Sequence, residues 1–233
     1  MAKRTLPIDS AAVGECRRCG TCCRKGGPTL HVPDRHLVET GQLPLKALYT
    51  LRRGEWVHDP IRGGRRPLEG ELIKIKGVEG TWSCTFFDAD AAACRTYNHR
   101  PLECRSLKCW DTAALEAVSE RDLLTRKDLF APIGGIWELV EAHERRCDCR
   151  RLAGYIQDLK RSANPALAAR IVEMVDYDAE LRKAAAERKL GLSAALEVLF
   201  GRALQHTLHQ FGIAIREQSG KRAIVPVDSH RQV

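Results

Sequence analysis

Apolar residues recur at helical spacing through the C-terminal third of the chain. After Asn164 and Pro165, which suit a helix N-cap and first turn, apolar side chains recur every three or four residues. Gly191 would end this helix, and a second apolar stripe runs over residues 196–211. The pattern predicts two adjacent helices that pack as a hairpin.

Alternation of apolar and polar residues predicts short strands elsewhere. Residues 213–216 and 223–227 flank a polar turn and predict a terminal β-hairpin. Residues 72–76 and 82–87 predict two further strands joined around residues 77–80. Residues 54–70, with four glycines and two prolines, predict a surface loop. Short helices are predicted over residues 34–40, 45–52, 115–124 and 136–144.

These elements indicate an α+β fold with two parts. We expect a small, loop-rich cysteine domain with short antiparallel strands over residues 1–112. A mainly helical region over residues 113–233 would follow it, either as a second domain or packed with the first as one unit. No apolar run approaches the roughly 20 residues of a membrane-spanning helix, and residues 1–13 lack the pattern of a secretory signal. We therefore expect a cytoplasmic protein without membrane partners, whose cysteines bind metal or do redox chemistry rather than form disulfides.

The formal net charge of +8 does not mark a nucleic-acid-binding segment. Residues 1–70 carry +6, residues 71–150 carry −2 and residues 151–233 carry +4, so the excess lies at both ends. The arginine pairs are short, and none makes a basic run of five to eight residues. A nucleic-acid partner is therefore not expected.

Four cysteines lie close together in Cys16-Arg-Arg-Cys19-Gly-Thr-Cys22-Cys23. Cysteines three residues apart chelate well, because a tight turn lets both sulfurs face one ion or cluster, and Gly20 can adopt the angles of such a turn. Adjacent cysteines normally point apart. Cys22 and Cys23 are therefore expected to serve two sites, or one binds metal while the other packs or does redox chemistry.

Four further cysteines bring the candidate metal ligands to eight, the number that fills two four-thiolate sites. They are Cys84, Cys94, Cys104 and Cys109. Zinc and a [4Fe–4S] cluster both accept four thiolates. Three cysteines from one loop with a distant fourth resemble ferredoxin ligation, whereas structural zinc sites more often pair two distant knuckles. The spacing favours [4Fe–4S], with zinc as the alternative, and either metal could serve only to staple a loop-rich region.

Arg100 and Arg105 lie among the second group of cysteines and are candidate cofactor-binding residues. Thiolate sites carry negative charge, which a nearby guanidinium offsets while donating hydrogen bonds to sulfur. Neighbouring aromatic side chains are expected to exclude water from the site. These aromatic residues are Trp82, Phe86, Phe87 and Tyr97.

The complete motif resembles a known family. It consists of Cys16-x-x-Cys19-x-x-Cys22-Cys23, then Cys84-x-Phe86, then Cys94-x-x-Tyr97-x-x-Arg100-Pro101-x-x-Cys104-Arg105. This order and spacing resemble the YkgJ-type cysteine-cluster family, the CxxCxxCC zinc- or iron-chelating domain also seen in flagellin lysine methylases. The resemblance spans residues 16–109 and implies metal chelation, commonly of an iron–sulfur cluster. Leu107-Lys108-Cys109 departs from the proline-cysteine ending often seen in the family.

Three functions are compatible with these features. The leading hypothesis is an iron–sulfur protein with a redox or electron-transfer role, of the oxidoreductase class if it is an enzyme. The sequence does not identify its redox or protein partner. The first alternative is a zinc-stapled module that contacts nucleic acid or an acidic protein. The second is methyl transfer, suggested only by kinship to the methylases. The chain contains neither a phosphate-binding loop nor a hydrolase motif.

His143, Cys147 and Cys149 lie outside the motif. Residues two apart do not share a helix face, so the two cysteines could chelate together only in a loop. They are candidates for ligands that swap into a cluster, for a redox-active dithiol, or for two free thiols.

Overall fold

A computed structural model describes residues 18–58, 63–187, 192–218 and 221–227. Cys16 lies outside the described residues. The helices are α1 Arg35–Glu39, α2 Leu102–Ser106, α3 Ala113–Val118, α4 Arg126–Phe130, α5 Ile136–Arg146, α6 Cys149–Ser162, α7 Pro165–Glu187, α8 Leu196–Leu199 and α9 Leu204–His209. The strands are β1 Leu48–Leu51, β2 Trp56–His58, β3 Arg65–Pro67, β4 Leu72–Ile75, β5 Phe87–Asp88, β6 Ala93–Cys94, β7 Ile213–Gln218 and β8 Lys221–Pro226.

The α+β class is confirmed. In the described ranges the strands form antiparallel pairs, β1 with β4, β2 with β3, β5 with β6, and β7 with β8. The predicted terminal hairpin is present as β7 and β8. Searched over these same ranges, no helix is long and apolar enough to cross a membrane.

The partner of β4 differs from the prediction. Residues 45–52 form a 3₁₀ turn at Leu45–Ala47 and then strand β1, not a helix, and β1 pairs with β4. The reason is tertiary: Leu48 and Thr50 are fully buried, and the Thr50 hydroxyl donates to the Val198 carbonyl at 2.6 Å. Residues 82–87 contribute only the start of β5 and a single bridge from Cys84 to Gly77.

The first C-terminal helix follows the prediction, and the second is interrupted. Asn164 accepts from the Ala166 amide at 2.9 Å, as a residue at a helix start does, and α7 runs from Pro165 to Glu187. The second stripe breaks at Gly201, where φ is +69° and a Cβ would lie 2.8 Å from the Arg52 side chain. Arg182 donates to the carbonyls of Phe200 and Gly201, and so satisfies the groups at the break.

A buried cluster is shared by residues before and after position 112. Leu30, Leu48 and Ile73 pack in one cluster with Val140 and Leu199. A second cluster joins α6, α7, α9 and β7. The cysteine segment therefore rests on side chains contributed by the helical region.

Buried charges cross the same interior. Arg126 donates to Glu71 and to the Leu199 carbonyl, and its guanidinium lies 2.9 Å from Glu144. Arg52 is 1% exposed, lies 3.5 Å from Glu144 and donates to the Cys147 carbonyl at 3.0 Å. Buried charges are tolerated when paired in this way, so the network fixes how the helices meet β1.

Candidate metal centre

Seven of the eight predicted cysteine ligands line a single cavity of about 390 Å³. They are Cys19, Cys22, Cys23, Cys84, Cys94, Cys104 and Cys109. Cys19 and Cys109 are exposed, whereas Cys84 is buried and the others are half-buried. The fold thus brings three separate sequence segments to one site.

A glycine turn shapes the first cysteine segment. Gly20 has φ of +72°, and a Cβ at this position would lie 2.1 Å from Cζ of Phe87. Only glycine satisfies both the backbone angle and the close approach. The Arg24 amide donates to the Gly20 carbonyl, and the Cys84 amide donates to the Cys23 carbonyl at 2.7 Å. These bonds tie the first segment to the second.

The second cysteine group is held by a short ladder and a capped helix. In the β5–β6 pair, Cys94 lies opposite Phe87. Helix α2, which carries Cys104, begins at an amide that donates to the buried Asp34 carboxylate at 2.8 Å. Glu103 accepts from the Thr29 amide at 2.7 Å. Cys104 is therefore presented by a helix anchored at its start.

The sulfurs are distributed around the cavity. Those of Cys22 and Cys23 lie 4.0 Å apart, so the adjacent pair faces the same space instead of pointing apart. Tetrahedral ligation of one zinc at Zn–S distances of about 2.3 Å would place sulfurs about 3.8 Å from one another. Among the described residues, no three cysteine sulfurs lie within 4.8 Å of one another.

Burial keeps several of the thiols neutral. It raises the pKa of Cys23 to about 12, with further contributions from Cys22, Cys94 and Cys84. It also raises the pKa of Cys84 and of Cys104, where neighbouring cysteines add to the effect. The exposed Cys19 differs, because a hydrogen bond from Thr21 lowers its pKa. A metal that binds here must displace thiol protons.

The two predicted arginines occupy different positions. Arg100 lines the cavity, and its guanidinium lies 3.9 Å from the centre of the Tyr97 ring. Arg105 instead lies 3.6 Å from the buried Asp34 and is not among the cavity residues. Arg18 was not singled out from the sequence, yet it lines the cavity and lies 4.6 Å from the Tyr97 ring. Arg18 lies between the two cysteines of the first C-x-x-C motif, and this position in the sequence could have marked it as a candidate.

The aromatic wall is smaller than predicted. Phe86, Phe87 and Tyr97 line the cavity. Trp82 does not, since it is 65% exposed and lies in the irregular segment between Gly77 and Cys84. The expectation that Trp82 shields the site was therefore wrong.

A second group of possible ligands lies in the core. The ligand atoms of His143, Cys147 and Asp178 lie within 4.8 Å of one another. His143 Nε2 lies 2.7 Å from Asp178, which also accepts from Arg182 and from the Leu204 amide. A cation here would displace these bonds, so hydrogen bonding accounts for the group without a metal.

Cys147 and Cys149 do not form a chelating loop. Cys147 follows the last residue of α5, and Cys149 is the first residue of α6. Both side chains are buried, and burial raises the pKa of each thiol to about 12. The pair is therefore protonated at neutral pH.

Comparison with known proteins gives one match. A family model described as CxxCxxCC, “putative zinc- or iron-chelating domain”, matches residues 15–126. Neither the curated proteins nor the solved structures contain a significant match to the chain.

Proposed function

Since residues 15–126 match the model of the CxxCxxCC family of zinc- or iron-chelating domains, we propose that the cysteine cavity holds an iron–sulfur cluster with a redox or electron-transfer role. The observation that carries the proposal is the convergence of seven cysteines on one cavity of about 390 Å³. A [4Fe–4S] cluster, when bound, supplies one-electron chemistry.

A cluster and a single ion require different spacings between the cysteine sulfurs. A single zinc draws four sulfurs to one point, whereas each thiolate of a cluster binds a different iron and therefore lies farther from the others. No three described cysteine sulfurs lie within 4.8 Å of one another. Cys22 and Cys23, at 4.0 Å, are the pair whose spacing also fits zinc, which keeps a zinc-stapled module as the second candidate.

The charge around the cavity fits a negative centre. Four thiolates around an oxidised [4Fe–4S] core carry a net charge of about −2. Arg18, Lys25 and Arg100 line the cavity with Glu103, so the surrounding side chains supply net positive charge. Phe86 and Phe87 exclude water from one wall. Burial and nearby charge are the properties by which a protein adjusts a cluster's potential.

Visible spectroscopy of protein purified without oxygen tests this function. We expect a brown protein whose absorption bleaches with dithionite and returns on mild oxidation. Cys23→Ser should lose the absorption, and Cys149→Ala, outside the cavity, should keep it. A colourless wild-type protein that retains zinc would contradict the iron–sulfur assignment and the redox role, and would favour the zinc-stapled module.

A further inference from the structure

Five arginines from four separate elements line a groove of about 1240 Å³. Arg145 and Arg146 come from the end of α5, Arg151 from α6, Arg170 from α7 and Arg222 from β8. None of the groove residues lines the cysteine cavity. In sequence these arginines occur singly or in short pairs, and only the fold gathers them.

Part of this basic surface is held in place before any ligand arrives. Arg151 donates to the carbonyls of Arg145 and Arg146 at 2.6 and 2.9 Å. The Arg146 guanidinium lies 4.5 Å from the centre of the Tyr177 ring. Arginines fixed in this way lose little side-chain freedom when they bind an anion.

The groove also contains carboxylates, and two of its five arginines remain available to a partner. Arg222 pairs with Asp176. Glu173 and Glu180 line the groove as well, so five positive charges face three negative ones. Within the described ranges, the side chains of Arg145 and Arg170 make no ion pair, hydrogen bond or ring contact, unlike those of the other three arginines. These two are the guanidiniums most available to a partner.

Strand β8 presents an open edge at the groove. The Val227 amide donates to the Gly212 carbonyl, so these two residues form a hydrogen-bonded pair of the hairpin. Along antiparallel strands such pairs alternate with pairs whose backbone groups point outward. The backbone groups of Arg222 and Ile224 therefore face away from β7, and both residues line the groove. In the described part of the chain, β7 is the sole strand neighbour of β8. An open edge of this kind can pair with an added strand.

We propose that the groove binds an extended, acidic segment of a partner protein as a third strand beside β8. The segment's main chain pairs with Arg222 and Ile224, and its carboxylates bind Arg145 and Arg170. Guanidinium and carboxylate match as paired hydrogen bonds, which gives this contact its specificity. Alternate apolar side chains of the segment lie against the small residues Ala168 and Ala169, which line the groove.

The same observations argue against nucleic acid. Glu173 and Glu180 would repel a continuous phosphate backbone. Single-stranded nucleic acid gains affinity by stacking bases on aromatic rings. Of the two tyrosines that line the groove, Tyr177 is already covered on one face by Arg146, and Tyr155 is half-buried. A peptide can avoid both problems, because it places its charges only at chosen side chains.

Fluorescence anisotropy with the full-length protein tests the proposal. The probe is a labelled eight-residue peptide of alternating glutamate and valine, and we expect binding that weakens with added salt. R145E/R170E should reduce affinity about tenfold or more, since two charge-assisted contacts become repulsive. The matched control R121E/K127E changes two exposed basic residues outside the groove and should stay within about twofold.

Two further probes separate strand addition from simple charge attraction. Two peptides are compared, one N-methylated at the odd-numbered residues and one at the even-numbered residues. Only one of the two should lose binding, because only one of these sets of amides faces β8. Equal binding of both methylated peptides would overturn strand addition. Unchanged affinity of R145E/R170E, or tighter binding of a single-stranded uridine oligonucleotide than of the peptide, would overturn the acidic-segment proposal. None of these outcomes depends on the identity of the bound metal.

Discussion

The sulfurs of Cys22 and Cys23 lie 4.0 Å apart on the wall of the cysteine cavity. Cys22 has helical backbone angles and precedes a 3₁₀ turn that begins at Cys23. Successive side chains on a helical turn diverge by about 100–120°, whereas those on a strand point to opposite sides. The turn therefore lets two adjacent cysteines face one centre.

Replacing Cys23 by serine should remove metal and stability together. The energy of metal binding contributes to the folding of such a loop-rich segment, so both quantities fall when a ligand is lost. Metal analysis and urea unfolding of anaerobically purified protein measure the two effects. Cys149→Ala is the control, and it should lower stability without lowering metal content. Full metal content in Cys23→Ser would show that Cys23 is not a ligand.

Gly20→Ala should disturb the cavity more than an equivalent glycine replacement elsewhere. Gly20 and Gly41 have φ of +72° and +75°, so alanine costs about 1 kcal/mol of backbone strain at either position. At Gly20 the new methyl also meets Phe87 at 2.1 Å, whereas at Gly41 nothing lies within 4 Å. Overpacking adds about 1–3 kcal/mol at Gly20. Urea unfolding and metal content should separate the variants, and equal behaviour would contradict the close contact.

Local patterns predicted much of this fold, and long-range contacts decided the remainder. Helix α7 was predictable because Asn164 and Pro165 begin it and its apolar spacing sustains it. Strand β1 was not predictable, because it packs against α8 and is held there by the hydrogen bond from Thr50 to Val198, which is distant in sequence. The break at Gly201 depends on the Arg52 side chain, which is distant in sequence.

The candidate site was likewise predicted from local patterns only in part. The C-x-x-C spacing pointed to the cysteines, and the structure places seven of them around one cavity. Helix α6 was not predicted, so Cys149 could not be placed at a helix start. The five-arginine groove was also hidden, because its members lie on α5, α6, α7 and β8. Pairing of elements far apart in sequence cannot be read from any single segment.

Arg126→Ala should destabilise the protein strongly. Arg126 is 3% exposed, and its guanidinium contacts Glu71, Glu144 and the Leu199 carbonyl. Removing it leaves two partly buried carboxylates without this partner, a change that costs about 3–5 kcal/mol. Urea unfolding measures the loss. The control Arg161→Ala breaks an exposed pair with Asp158 and should cost no more than about 0.5 kcal/mol. Similar losses in both variants would contradict a structural role for the buried network.

The His143–Asp178 pair should make stability depend on mildly acidic pH. Burial lowers the pKa of His143 below 6.5, although its bond to Asp178 opposes the shift. As pH falls below 6.5, the unfolded chain binds a proton at this position before the folded protein does. The contribution of His143 to the free energy of unfolding should therefore be fully present above pH 6.5. Below pH 6.5 it should fall by up to about 1.4 kcal/mol per pH unit, until the pH reaches the pKa of His143 in the folded protein.

Urea unfolding of the wild type and His143→Gln between pH 7.5 and 5 isolates this contribution. The difference in unfolding free energy should shrink as pH falls, because the glutamine variant lacks the titrating ring. Asp178 acts at lower pH. Burial raises its pKa, but hydrogen bonds and charge from His143 and Arg182 outweigh burial, so the pKa is lowered overall. The contribution of Asp178 to stability is therefore lost only below pH 3.8. Parallel pH curves for the two proteins would contradict a neutral, buried His143.

The content of iron, zinc and acid-labile sulfide in the anaerobically purified full-length protein tests the central claim most directly. If the cysteine cavity holds a [4Fe–4S] cluster, iron and sulfide should be present in equal amounts, about four of each per cluster, and Cys84→Ser should lose both. Stoichiometric zinc without iron or sulfide would contradict the claim.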